Sequence, residues 1–234
     1  MTELRLVVFD CDGTLVDSQH MIFEAMRRAF DGLGFVCPDK DRVRQIVGLN
    51  LIEGIALLAP ELDDEAHARI AAGYKASFRE IRQTPARREP LFPGIYDAIG
   101  AISQAGYLLG IATGKSRVGL AATLEVHELA PFFTTLQTAD DAPGKPHPGM
   151  LERAMEETGI APENTVLIGD TVFDIEMAGH AGVAAIGVRW GYHPSEDLRR
   201  LGALTIAEHG EELPGLVEDV LADHGRMRGA SASK

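Results

Sequence analysis

Carboxylate, hydroxyl and lysine side chains follow four separate apolar segments of the sequence. In chain order these groups are Asp10 and Asp12; Thr113, Gly114 and Lys115; Lys145; and Asp170 and Asp174. Two carboxylates spaced two residues apart can divide the work of phosphoryl transfer, because one can attack phosphorus while the other protonates the leaving oxygen and then activates water. We predict that Asp10 attacks and forms an aspartyl-phosphate, and that Asp12 is the acid and base.

Such a reaction needs positive charge, because a carboxylate and a phosphate dianion repel each other. A hard cation with oxygen ligands removes this repulsion, and crowded carboxylates raise one another's pKa unless a cation lies among them. Thr113 and backbone N–H groups can bind phosphoryl oxygens, and Lys145 can balance the charge that builds up during transfer. Gly13 allows the backbone to turn sharply near the phosphate.

The apolar segments predict strands buried on both faces, as in parallel sheets. They lie at 4–9, 107–112, 132–137, 165–168 and 183–188, and the third is the weakest. Amphipathic helices lie between the later strands, one opened by Pro148 and closed by Gly159, the next closed near Gly182. This alternation predicts a doubly wound, mainly parallel α/β sheet, in which ligands bind beyond the carboxyl ends of the strands.

Residues 17–90 interrupt the alternation. They show no strand pattern and contain three predicted helical stretches, at about 18–33, 40–58 and 63–83. We therefore expect an all-helical domain at 17–90, inserted after the first strand of an α/β domain formed by 1–16 and 91–225. The proline-rich segment 84–94 is the expected return linker, and 226–234 is the expected disordered tail.

Four segments also resemble the motifs of the haloacid dehalogenase superfamily, in the order in which that family has them. They are Phe9-Asp-Cys-Asp-Gly-Thr-Leu-Val-Asp17, Thr113-Gly114, Lys145-Pro-His-Pro148 and Gly169-Asp-Thr-Val-Phe-Asp174. The helical insertion resembles the small cap of these enzymes. Trp190-Gly191-Tyr192 is similar to a sequence often found in the phosphoglycolate phosphatase-like members. Cys11 stands where Leu or Met is common, a departure that leaves the chemistry unchanged.

The resemblance implies a Rossmann-like core, Mg²⁺ as cofactor and a role for each motif residue. Asp10 would be nucleophile and metal ligand, and Asp12 would be acid and base while lending its backbone carbonyl to the metal. Asp170 would be a direct metal ligand, and Asp174 would support the metal shell or its water. The phosphate would be held by Thr113, Gly114 and Lys145.

Three of these assignments have simpler structural alternatives. Thr113 can cap the helix that follows it, and a cap and a phosphate site use the same N-terminal amides. Lys145 can be a surface lysine before a turn, and Asp174 can cap or pair within its own helix.

The motifs favour hydrolysis of a small phosphate monoester. Phosphoglycolate is the first candidate substrate, followed by sugar phosphates, nucleotide monophosphates and pyrophosphate. The alternatives are a β-phosphoglucomutase-like phosphoryl shuttle, a dehalogenase and a receiver-type switch. Asp12 argues against a dehalogenase, which needs no acid for a leaving oxygen, and receivers are about half this length without a helical insertion.

A single position bears on the mutase alternative. β-Phosphoglucomutase-like members place a histidine in the first cap helix, twelve residues after the nucleophile, where this sequence has Ile22. His20 would lie about 200° around a helix from that position and is a poor substitute. We therefore expect a hydrolase.

Composition limits the partners and the location. The 234 residues carry a formal net charge of −13, which disfavours nucleic acid and anionic lipid as partners. The two cysteines suit a reducing compartment, and neither a leader nor a membrane-spanning run is apparent. We expect a cytoplasmic monomer or homodimer whose partner is a small phosphorylated metabolite.

Overall fold

The computed structural model of the chain describes residues 4–83 and 89–231, with side chains described as far as residue 222. Residues 84–88 of the expected linker at 84–94 therefore lie outside the described residues, as do positions 232–234. Across 4–83 and 89–231, none of the helices is long and apolar enough to cross a membrane.

Six parallel strands form one sheet. They are β1 (Leu6–Phe9), β2 (Leu108–Ala112), β3 (Phe133–Gln137), β4 (Thr165–Gly169), β5 (Ala184–Val188) and β6 (Thr205–Ala207). Their order across the sheet is β3-β2-β1-β4-β5-β6, and each neighbouring pair is parallel. The predicted doubly wound α/β fold is confirmed. The sequence did not predict β6, because three residues are too few to show a pattern.

Ten α-helices accompany the sheet in the described part of the chain. Four lie between β1 and β2: α1 (Gln19–Asp31), α2 (Lys40–Gln45), α3 (Leu51–Leu58) and α4 (Asp64–Arg82). The others are α5 (Ile95–Gln104), α6 (Arg117–Val126), α7 (Gly149–Thr158), α8 (Val172–Ala181), α9 (Ser195–Arg200) and α10 (Leu213–Ser231). The backbone of 226–231, where the sequence predicted disorder, thus belongs to α10, and no proline lies between 226 and 231 to end the helix earlier.

The central strand β1 is buried on both faces of the sheet. Successive side chains of a strand point to opposite faces. Val7 and Phe9 accordingly pack in the apolar core beneath α5 and α10, whereas Leu6 and Val8 pack in the core beneath α7 and α8. Burying each such side chain stabilises the fold by about 1.5–3 kcal/mol. The strand that carries the first motif is therefore held from both sides.

The helices between β1 and α5 have a core of their own, in which α1 packs against α4. The sequence predicted one helical stretch over 40–58, but the structure divides it into α2 and α3. Gly48 has a φ of +103°, which a helix does not allow, and the Asn50 side chain accepts a hydrogen bond from the Ile52 N–H at 3.0 Å to begin α3. We call the intervening residues 46–50 the insertion loop.

Candidate active site

The strand order brings three of the motif segments together at one edge of the sheet. Because β1 lies between β2 and β4, the residues that follow these strands, Asp10, Thr113 and Asp170, are neighbours. The loop after β3 then brings Lys145 to the same place. Its Nζ lies 2.7 Å from Asp10 Oδ1 and 2.6 Å from Asp174 Oδ1.

Lys145 is not the surface lysine of the simpler alternative. Its side chain has 0% exposure and lies between two buried carboxylates. Burial opposes its charge, but the carboxylates of Asp10 and Asp174 outweigh that effect and raise the pKa of Lys145. The lysine is therefore a fixed cation beside the proposed nucleophile.

The carboxylates of Asp10, Asp170 and Asp174 form a cluster that can hold a metal ion. Each offers an oxygen, and the three oxygens lie within 4.8 Å of one another. In an octahedral Mg²⁺ shell the ligand oxygens lie about 3 Å apart, or about 4 Å across the ion, so this spacing needs only a small contraction. The donors are hard oxygens, which is the chemistry that such a cation prefers.

The raised pKa values of the clustered carboxyl groups also favour a cation at this site. Burial raises the pKa of Asp10 to about 7, although Lys145 opposes the change. Burial, together with the charges of Asp10 and Asp174, raises the pKa of Asp170 well above its usual range. One lysine does not compensate three buried carboxylates, and a divalent cation would supply the missing positive charge.

Asp170 is held in place by two donors and two glycines. Thr14 donates its hydroxyl to Oδ1 at 2.8 Å, and the Tyr192 N–H donates to Oδ2 at 2.9 Å. A Cβ on Gly13, whose φ is +88°, would lie 2.2 Å from Oδ2, and a Cβ on Gly191 would lie 2.1 Å from the Asp170 Cβ. Only glycine fits at both positions, so the backbone of two loops packs directly against this carboxylate.

Asp174 caps its own helix, as the simpler alternative predicts, and also pairs with Lys145. It is the third residue of α8 and forms a capping box with Thr171, whose N–H and hydroxyl donate to Asp174 Oδ2 at 3.0 and 2.7 Å. Its other oxygen pairs with Lys145. The helix cap thus fixes the carboxylate that orients the lysine.

Asp12 lies apart from this cluster, with a side chain that is 15% exposed against 2% for Asp10. Its Oδ1 accepts a short hydrogen bond from the Ser18 hydroxyl and lies 2.8 Å from Lys115 Nζ. The two aspartates of the first motif therefore have different lysine partners, Lys145 for Asp10 and Lys115 for Asp12.

Thr113 and Gly114 lie where the insertion loop meets the core. Thr113 is buried, and Ser116 rather than Thr113 caps α6; the Thr113 Oγ1 accepts a hydrogen bond from the Lys115 N–H at 3.3 Å, so its hydroxyl proton is the part that can be donated to a phosphate. A Cβ on Gly114 would lie 3.6 Å from the Leu49 carbonyl oxygen, and Leu49 forms a parallel β-bridge with Lys145. The insertion loop thus covers two of the predicted phosphate-binding segments.

Several residues around the site were not singled out from the sequence. Ser18 and Glu89 showed no pattern, although Ser18 directly follows the first motif and that position was a usable signal. Lys115 was noted only as the residue after Thr113-Gly114. Tyr192 was noted only within an aromatic-Gly-Tyr sequence, and its backbone N–H proves to hold Asp170. Ile22 is buried in the apolar core of the helical insertion, and His20 is exposed.

Comparison with known proteins agrees with the motifs. A family profile described as haloacid dehalogenase-like hydrolase matches residues 7–188. A protein named "Probable phosphatase IndB" from Dickeya dadantii (strain 3937) is 35% identical over 220 residues, which cover 92% of this chain and 94% of that protein. The phosphoglycolate phosphatase of Vibrio vulnificus (strain YJ016) is 31% identical over 204 residues, covering 84% and 88%.

Among solved structures, the β-phosphoglucomutase of Clostridium difficile superposes with a TM-score of 0.79 at 17% identity, covering 94% of this chain and 98% of that one. At this identity the likeness concerns the fold alone.

The carboxylate cluster predicts a pH-dependent response to Mg²⁺. Since Asp10 binds its proton more tightly in the folded state than in the unfolded chain, the free energy of unfolding without a cation falls as pH rises from about 4 to about 7. A cation replaces that proton, so its stabilising effect grows over the same range. We expect about 10 mM MgCl₂ to raise the Tm by about 5 °C at about pH 8, and by less than half as much at about pH 5.

The measurement is a thermal melt, with NaCl at matched ionic strength as the blank. Asp170→Asn keeps the shape of the side chain and removes one charged ligand, and it should abolish the shift. Equal shifts at both pH values, or a full shift in Asp170→Asn, would contradict the metal site.

Gly13 offers a second test with a matched control. Gly106 has a φ of +89°, close to that of Gly13, but a Cβ there would meet nothing within 4 Å. We expect Gly106→Ala to lower the free energy of unfolding by about 1–2 kcal/mol through backbone strain and to keep the Mg²⁺-dependent rise in Tm. Gly13→Ala should be less stable still and should lose that rise, because the new methyl group displaces Asp170. A normal Mg²⁺ response in Gly13→Ala would refute the close packing described here.

Proposed function

We propose that this chain, which belongs to the haloacid dehalogenase-like hydrolase family, hydrolyses a small phosphate monoester with Mg²⁺ through an aspartyl-phosphate. Its relatives named as phosphatases show that it is a phosphoric monoester hydrolase of that family. The observation that carries the proposal is the buried pairing of Lys145 with Asp10 and Asp174, beside the carboxylate of Asp170. It supports a role for Asp10 as nucleophile, because a fixed cation and a candidate metal site lie beside it at one edge of the sheet.

In the first half of the reaction, an oxygen of Asp10 attacks phosphorus and the ester P–O bond breaks. Asp12 donates its proton to the departing alkoxide, which leaves as an alcohol. Lys145 and the Thr113 hydroxyl, with backbone N–H groups near Gly114, bind the phosphoryl oxygens whose charge changes during transfer. Mg²⁺ held by Asp10, Asp170 and the backbone carbonyl of Asp12, with support from Asp174, would neutralise the phosphate charge and orient it for attack.

In the second half, Asp12 accepts a proton from a water molecule, which attacks the phosphorus of the aspartyl-phosphate. The P–O bond to Asp10 breaks, inorganic phosphate leaves, and both carboxylates return to their starting states. Asp12 is thus acid in one half and base in the other, so that the proton it gives to the alcohol is recovered from water.

We propose that the helical insertion, residues 17–90, is a cap over the active site. The contacts of Leu49 and Gly48 with the second and third motif segments support this role, since they lie against the residues that are proposed to bind the phosphate. Phosphoglycolate is the first candidate substrate, because a relative named phosphoglycolate phosphatase is 31% identical over most of this chain. The expected location is the cytoplasm, and the expected partner is a small phosphorylated metabolite.

A test of the nucleophile compares two carboxylates at the same sheet edge. Asp10→Asn should lower kcat for phosphate release from p-nitrophenyl phosphate by more than about 10⁴-fold, as expected when a nucleophile is removed. Asp141→Asn is the matched control: Asp141 lies in the loop after β3 and pairs with Arg117, outside the carboxylate cluster. It should keep wild-type activity. Wild-type protein in excess EDTA should release no phosphate, and substantial turnover by Asp10→Asn would eliminate this mechanism.

The mutase alternative is tested by the fate of the phosphoryl group. Ile22 is buried among apolar side chains and cannot hold or move a proton where the related mutases have a histidine. We therefore expect phosphate release without a sugar-bisphosphate activator, and no glucose 6-phosphate from β-glucose 1-phosphate in a coupled assay. Isomerisation at a rate equal to or above that of phosphate release would replace the hydrolase with a mutase.

A further inference from the structure

Lys115 is a buried cation that the proposed reaction does not use. It directly follows the second motif, and its side chain is only 5% exposed. Its Nζ lies 2.8 Å from Asp12 Oδ1 and 2.7 Å from Glu89 Oε1. A buried lysine with carboxylates on two sides is held in one place, since moving it would break two buried ion pairs at once.

Glu89 is in turn fixed from the opposite side. Its second oxygen, Oε2, accepts a hydrogen bond from the Thr123 hydroxyl at 3.0 Å and pairs with Arg82 Nη2 at 3.2 Å. Arg82 also donates to the Gly119 carbonyl at 2.9 Å. The anchor of Lys115 therefore includes groups from α4 and α6, which makes it part of the packed structure and not a flexible surface pair.

The surroundings of Lys115 complete its confinement. Both cations lie over the Phe78 ring: the ring centroid is 5.3 Å from Lys115 Nζ and 5.2 Å from the Arg82 guanidinium carbon. Phe78 and Arg82 belong to α4 of the helical insertion, whereas Lys115 and Asp12 belong to the core. The cluster thus lies where the insertion meets the first motif.

Lys115 and Ser18 both bind the same oxygen of Asp12, Oδ1. They approach it from different elements, the loop after β2 and the start of α1, and Ser18 is itself held at 3.0 Å by the Tyr192 hydroxyl. Two fixed partners hold Oδ1 in one position. Because a carboxylate is planar, the position of Oδ1 also determines the direction in which Oδ2 points.

We propose that Lys115, anchored by Glu89, is a positioning residue that holds Oδ1 of Asp12 and thereby aims Oδ2 at the leaving oxygen of the substrate. The inference rests on the proposed function, in which Asp12 protonates that oxygen. Lys115 acts through Asp12 and does not touch the phosphate, a role that falls to Lys145 on the Asp10 side. Loss of Lys115 should therefore impair proton donation and leave attack on phosphorus intact.

Leaving-group dependence separates these two effects. An alkoxide needs a proton to depart, whereas p-nitrophenolate departs without one, and kcat/KM reports the steps up to departure. Lys115→Met/Glu89→Gln removes the cation together with the negative charge that faces it, so that Oε1 of residue 89 is not left as a buried carboxylate oxygen without its lysine. With Mg²⁺ present, we expect this variant to lose about 100-fold in kcat/KM on glycerol 2-phosphate but less than about 5-fold on p-nitrophenyl phosphate, as for loss of a general acid.

Arg117→Met is the matched control, because Arg117 lies two residues after Lys115, at the start of α6, and pairs with Asp141 at 2.6 Å instead of with Asp12. It should keep both wild-type values, and circular dichroism should show all variants folded. Equal losses on the two substrates in the folded double variant, or no loss on the alkyl ester, would overturn the role of Lys115. Failure of the wild-type protein to hydrolyse either ester with Mg²⁺ would instead overturn the proposed function itself.

Discussion

The burial of Lys145 between Asp10 and Asp174 is the constraint on which the site depends. Three carboxylates and one lysine are buried together at the end of the central strand, and unpaired charge in such a place costs several kcal/mol. The surrounding structure must therefore hold these groups in one arrangement. It does so with strand ends, with the capping box of α8 and with glycines packed against Asp170. The same excess of negative charge favours the binding of a divalent cation.

The sheet explains why these groups meet although they are far apart in the sequence. With β1 between β2 and β4, the first, second and fourth motifs must emerge side by side. The insertion begins directly after the first motif, so the insertion loop can lie over the same edge of the sheet, where Leu49 pairs with Lys145. A site closed in this way can exclude water from Asp10, the proposed nucleophile, while the strands below hold the surrounding carboxylates and Lys145 in place.

The sequence was most informative where the signal is local. A buried strand followed by carboxylates predicted β1 with Asp10 and Asp12, and the α/β alternation predicted the parallel sheet. It failed where the signal is short or distant. The three residues of β6 show no periodicity, and the break between α2 and α3 depends on Gly48 and Asn50 alone. Glu89 is 26 residues from Lys115 and comes from a linker, so only the folded chain shows that they meet.

Asp10 and Asp12 are the same residue type, two positions apart, yet the proposed reaction needs a nucleophile and a proton donor. The difference comes from their surroundings. Asp10 directly follows β1 and lies in the carboxylate cluster beside Lys145, whereas Asp12, farther beyond the end of the strand, is partly exposed beside Lys115 and Ser18. Lys145 is fixed by a carboxylate of the fourth motif, whereas Lys115 is fixed by a carboxylate of the linker to the insertion. Each aspartate thus depends on a different part of the molecule for its lysine, which would allow one short motif to support the two proposed roles.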